Sequence, residues 1–182
     1  MDTNLLNNYV LKAIDAYPYE LQETVENLNY ALSYENDNAY ALYLMGRLQA
    51  EQFEDFEKAK YYFAEALANK MDCIKVYPKY ILVLIWNHDF DEAQKLIDFA
   101  HTIKGVGKGE LLVLQASLFE CQEAYKKALK TFKKAKLFVY NNDYTSFINS
   151  EINRVKNKLK PKKKKSFKSK NKKNRKQKKN KK

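Results

Sequence analysis

The chain has 182 residues, 45% apolar and 31% charged, which is enough to bury the core of one or two ordinary domains. Its longest apolar run, 80–86, falls far short of the ~18 residues a membrane span requires, and Cys73 and Cys121 lie too far apart to form a disulfide framework or a cysteine zinc site. The net charge of +12 joins two unlike parts: residues 160–182 hold 15 of the 34 basic residues and no acid, leaving 19 basic against 22 acidic groups in 1–159.

The first 20 residues carry acids and asparagines where an export signal would carry a basic and then an apolar segment, so a cytoplasmic location is expected. Glycine and proline are scarce, and apolar residues recur at helical spacing up to residue 160. This predicts an all-α domain over 1–159 and a separate basic tail over 160–182. In the first helix Leu5, Leu6, Tyr9, Val10, Ala13 and Ile14 line one stripe, and Pro18 ends it while biasing Tyr17 toward an extended backbone. Pro78 falls inside a helical stretch and predicts a kink there or a late start near Val76.

His88 reads as a turn residue, followed by Asp89 and Asp91 as helix caps and Glu92 in the first turn, where its charge suits the helix dipole. His101 reads as a helix-end residue. Neither histidine has the ligand-spaced neighbours that a metal or catalytic site needs, so no cofactor is expected. The glycines of 105–109 resemble a phosphate-binding loop only superficially. They follow a helix, and Gly109 occupies the place where such a loop needs Ser or Thr, so a helix end and connector with positive φ is expected. A final helix over 143–159 carries Tyr144, Phe147, Ile148, Ile152, Val155 and Leu159 on one stripe, with Asn149, Glu151, Asn153, Arg154, Lys156 and Lys158 facing water. Both cysteines are expected to be buried, reduced thiols. The domain is itself polarised: 1–72 has 5 basic and 13 acidic residues, 73–159 has 14 and 9.

Internal similarity carries more than any single helix. Ala59, Phe63 and Ala66 recur 34 positions later as Ala93, Ile97 and Ala100, and 35 after that as Ala128, Phe132 and Ala135; 35 positions earlier stand Thr24, Leu28 and Ala31. Small, large, small at i, i+4 and i+7 places one bulky side chain between two small ones on one helix face, the arrangement of closely interlocked helix pairs. In the preceding helices Leu42, Met45 and Gly46, and Leu112, Ala116 and Phe119, follow a related pattern, while Ile81 stands where a small residue would be usual.

Over about 4–138 these residues resemble the tetratricopeptide repeat, a helical hairpin of ~34 residues whose second helix starts small and continues large, then small. The family's repeat-ending proline is replaced here by Asn36, Met71, Gly105 and Tyr140. The resemblance implies a right-handed superhelical solenoid of about four hairpins, closed by the last helix as a cap. It also implies a concave surface lined by first helices, which places Tyr40, Tyr43, Arg47, Leu82, Trp86, Glu110, Val113 and Ser117 toward a bound protein or peptide. Tyr and Trp suit that role because they bury large areas at little entropic cost and keep a polar handle.

The tail has no apolar period, and mutual repulsion should keep it disordered in isolation. Its cations are the candidate polyanion site: Lys162, Lys163, Lys164, Lys165, Lys168, Lys170, Lys172, Lys173, Arg175, Lys176, Lys178, Lys179, Lys181 and Lys182. Fully extended it would span roughly 75 to 80 Å. Lysine favours point contact with phosphates over reading of bases, so RNA or a ribonucleoprotein such as the ribosome is the expected ligand. An acidic protein, an anionic membrane surface and solubility alone are the alternatives. The composite expectation is a non-enzymatic adaptor: one half docks a protein, the other holds a polyanion.

Overall fold

The computed structural model describes residues 7–159, and among these every regular element is helical. The helices are α1 (Asn8–Ala16), α2 (Leu21–Tyr34), α3 (Ala39–Glu51), α4 (Phe56–Asn69), α5 (Val76–Trp86), α6 (Phe90–Ala100), α7 (Lys108–Cys121), α8 (Tyr125–Ala135) and α9 (Asn142–Leu159), with a short 3₁₀ turn at Lys136–Phe138 before α9. Consecutive helices pair as hairpins α1/α2, α3/α4, α5/α6 and α7/α8, and α9 lies on α8. Each first helix also touches the next one, α1 on α3, α3 on α5 and α5 on α7, which stacks the hairpins into a solenoid.

All twelve residues of the small, large, small signature sit on second helices and are buried. A second helix buries one stripe and shows the rest to solvent. First helices are enclosed on two sides by their own partner and by neighbouring hairpins. Nine residues of α3 are buried, and in α7 four in succession, Leu111, Leu112, Val113 and Leu114. Gly46 of α3 shows why the small positions matter: a Cβ there would meet the Phe63 ring of α4 at 2.6 Å, so its hydrogen is what lets the two helices close.

Local chemistry sets the helix ends. The side chains of Asn7, Asn38 and Asp55 accept backbone N–H bonds at the starts of α1, α3 and α4, and Asn141 does so for α9. Tyr17 is extended before Pro18, and α5 begins at Val76 with Pro78 in its first turn, where the missing N–H costs nothing. Three hairpin turns share a device 34 and then 35 residues apart: Glu54, His88 and Glu123 all have φ between 54° and 63°. At His88 and Glu123 the following N–H, of Asp89 or Ala124, closes on the carbonyl five residues back, Leu84 or Phe119. Both are Schellman endings built without glycine. Gly105, at φ 99°, serves the longer connection between α6 and α7.

Several sequence expectations need correction. Ile14 is exposed toward a groove instead of sealing the α1 stripe, which is carried by Val10, Ala13 and Ala16; Leu5 and Leu6 lie outside the described residues. On α9 only Ile148, Ile152 and Val155 are buried, while Phe147, about 100° round the helix from Ile148, and Leu159, the last residue of α9, are exposed. Asp89 occupies a cap position but makes no cap bond. Its carboxylate accepts from Lys60 Nζ at 2.6 Å and Asn87 Nδ2 at 2.7 Å, the charged donor being the stronger competitor. Cys73 is buried as expected, whereas Cys121, the last residue of α7, is exposed. Glu151, Arg154 and Lys158 do not simply face water; they form an ion-pair cluster with Glu120 of α7.

Candidate functional site

The row of first helices carries two adjoining concavities. One, of about 520 Å³, lies between the end of α1 and the outer face of α3, and its walls include Ile14, Pro18, Tyr40, Tyr43 and Arg47. The other, of about 240 Å³, lies between the start of α5 and the α6–α7 connection, with Pro78, Lys79, Gly105 and Glu110 on its walls. Tyr43 and Lys75 line both, so the two form one groove running from α1 to the start of α7, across all four hairpins.

Glu51, at the end of α3, organises the floor of this groove. Tyr17 Oη donates to its Oε2 at 2.5 Å, Arg47 reaches it with Nη2 at 2.8 Å and Nε at 3.2 Å, and Lys79 Nζ donates to Oε1 at 2.7 Å. Burial alone would raise the Glu51 pKa; the bonds from Arg47, Lys79 and Tyr17 outweigh it and hold the carboxyl at about 2. The Arg47 guanidinium also lies 4.7 Å from the Tyr17 ring centre and 5.9 Å from that of Tyr43. Three helices thus lock the aromatic faces in place through one carboxylate. Burial raises the phenol pKa of both Tyr17 and Tyr43, so neither ionises near neutrality. Lys75 makes no ion pair among the described residues; its ammonium sits 5.2 Å from the Tyr40 ring centre, at the rim shared by both concavities.

Of the residues that the sequence places toward a partner, the structure brings Tyr40, Tyr43, Arg47 and Glu110 into this groove. Leu82 is half-buried against the core of the third hairpin. Trp86 is partly exposed at the end of α5 and packs on Phe56 of α4, with ring centres 5.9 Å apart. Val113 is buried in the core shared with α8 and α9, and the Ser117 hydroxyl donates to its carbonyl at 3.1 Å. The candidate polyanion residues, Lys162 through to Lys182, lie outside the described residues. No group of three or more His, Cys, Asp or Glu able to hold a metal occurs among the described residues. No described helix is long and apolar enough to cross a membrane.

Tyr17, Glu51, Lys75 and Lys79 were not expected from the sequence as groove residues. One signal was available for the first two. They are 34 positions apart, one repeat, so the end of one first helix faces the end of the next.

Among the described residues, eight helices paired as four stacked hairpins and closed by α9 define a tetratricopeptide-like helical-repeat fold. The solved structure of a MamA RS-1 ArsTM double mutant shares it: TM-score 0.65, covering 84% of this chain and 85% of that one, at 13% sequence identity. No family model and no curated protein matches the chain.

Proposed function

We propose that the protein is a non-enzymatic adaptor whose groove holds an extended segment of a protein partner, while its tail contacts RNA or a ribonucleoprotein. The observation that carries the first part is the continuous groove with Tyr40, Tyr43 and Lys75 at its centre and the Glu51 cluster as a rigid floor. Arg47 and Lys79 are already committed to Glu51, so among the described residues the groove offers a ligand aromatic faces and one ammonium outside any ion pair, Lys75. An apolar residue next to an acidic one fits that pattern: the first lies on Tyr40, Ile14 and Pro18, the second meets Lys75. The solenoid fold supports a scaffold role, since stacked hairpins present an extended surface.

A peptide array of apolar and acidic pairs, followed by fluorescence anisotropy on the best binder, tests the groove. Tyr40→Ala and Lys75→Glu should each weaken binding by roughly tenfold, the effect of losing an interface anchor; the exposed Lys75→Glu change should leave the melting temperature unchanged, whereas Tyr40→Ala also gives up the packing of its ring on the core. Binding that survives both changes would refute the groove. For the tail, a full-length chain with its lysines at 162–165 changed to glutamine should lose salt-sensitive retention on RNA. Equal retention would refute the tail's role.

A further inference from the structure

The outer face of α8 is a second strongly charged surface, this one within the folded body. Lys126, Lys127, Lys130, Lys133 and Lys134 lie within its eleven residues, and the helix has no acidic residue. All five are exposed. The buried stripe of α8 is Ala128, Phe132 and Ala135, and at 100° per residue Lys126, Lys130 and Lys133 align on the opposite side. None of the five takes part in an ion pair among the described residues. Like charges three and four apart repel across each turn, so this face holds unneutralised repulsion that a polyanion would relieve.

The turn after α8 adds a second element. Tyr140 is 96% exposed and Leu137 74%, so an aromatic ring stands exposed six residues beyond Lys134 in the chain, just after the 3₁₀ turn. A free ring beside a cationic track is what an unpaired base requires, since the lysines follow the phosphates while the ring stacks on the base. The only aromatic in the tail is Phe167. We infer that the α8 lysine face and Tyr140 form a contact for single-stranded RNA on the folded body, working together with the tail; this rests on the RNA reading of the tail. The lysines provide the sequence-independent hold and Tyr140 the preference for unpaired over duplex strands.

The test uses the full-length chain and a fluorescent polyuridine oligonucleotide titrated over a range of salt. In the combined variant Lys126→Gln, Lys130→Gln, Lys133→Gln and Lys134→Gln, the slope of log affinity against log salt should flatten by about 3, at ~0.7 per phosphate contact on a single strand. Tyr140→Ala should weaken binding roughly fivefold or more and narrow the gap between single-stranded and duplex RNA. An unchanged slope in the first variant, or unchanged affinity in the second, would overturn the inference. So would losses confined to anionic phosphatidylserine vesicles with RNA binding intact, since Leu137 beside the lysines would then mark a lipid surface. The tail variant at 162–165 separates the two readings. If it loses RNA while the α8 variant matches the parent, the tail stands and the α8 contact falls; the reverse result leaves α8 and removes the tail.

Discussion

Arg154 of α9 closes on Glu120 of α7 with both terminal nitrogens, at 2.5 and 2.6 Å from the two carboxylate oxygens, across 34 positions of sequence. Glu120 is only 6% exposed, and Lys158 Nζ reaches the same carboxylate at 2.6 Å. Glu151 braces the guanidinium from within α9. The cap is therefore fastened by charge as well as by Ile148, Ile152 and Val155.

The two sides of this cluster should respond unequally to truncation. The double variant Arg154→Ala, Lys158→Ala leaves a carboxylate sealed off from water and should cost about 1 to 3 kcal/mol, discounted because both cations are half-exposed. Glu120→Ala frees two cations that can swing into solvent and should cost less. Thermal denaturation of the three proteins checks the order; equal melting temperatures would show that the cluster contributes nothing.

Gly46→Ala should destabilise in spite of the ~1 kcal/mol that alanine gains over glycine within a helix. Its Cβ would stand 2.6 and 2.7 Å from two atoms of the fully buried Phe63 ring, and relieving such overpacking costs about 1 to 3 kcal/mol. Gly107→Ala meets nothing nearer than 3.7 Å, so its cost should be confined to the weaker N-cap preference of alanine at the start of α7. Phe63→Leu placed beside Gly46→Ala should recover part of the loss, and urea melts of the single and double variants would measure it.

His88→Gly and Glu123→Gly should each stabilise the fold by roughly 0.5 to 1 kcal/mol. Both residues hold a left-handed backbone that costs a side chain about 1 to 2 kcal/mol, partly offset by the greater freedom of an unfolded glycine. A fall in melting temperature for both would mean that the His88 ring, edge-on to Phe90 with centres 5.4 Å apart, and the Glu123 side chain contribute more than the strain.

The second helices were legible in the sequence because each buries a single stripe, and the spacing of Ala59, Phe63 and Ala66 survives translation into structure unchanged. First helices were less so. With Leu111 to Leu114 all buried, α7 has no polar side to give its apolar residues a period. Arg154 stands on the water-facing side of the α9 wheel, yet a long side chain can arch back to a buried acid, which a wheel cannot show. The groove was half legible: Tyr40, Tyr43 and Arg47 follow from the repeat register, but Glu51 takes its importance from Tyr17 and Lys79, which lie 34 and 28 positions away.

Acid should loosen the groove in a defined window. The Glu51 carboxyl has a folded pKa of about 2 against an ordinary value of 4.5, so its contribution is complete above about 4.5 and is lost as pH falls toward 2. At ~1.4 kcal/mol per unit this is at most about 3 kcal/mol. The difference in stability between the parent and Glu51→Gln should therefore shrink on acidification through this range. A difference that stays constant from pH 5 to pH 2 would show that Arg47, Lys79 and Tyr17 do not hold the carboxylate.

The apolar interior is divided into three clusters, and α7 belongs to two of them: Leu111, Leu114 and Leu118 complete the one around α5 and α6, while Leu112, Val113 and Ala116 complete the one with α8 and α9. α5 is shared in the same way between the first two clusters, with Val76 and Val83 in one and Tyr77, Ile81, Leu84 and Ile85 in the other. The Tyr43 groove reaches the last hairpin through Glu110 of α7, and the lysine face lies on α8, so occupants of the two surfaces would hold the two arms of one hairpin.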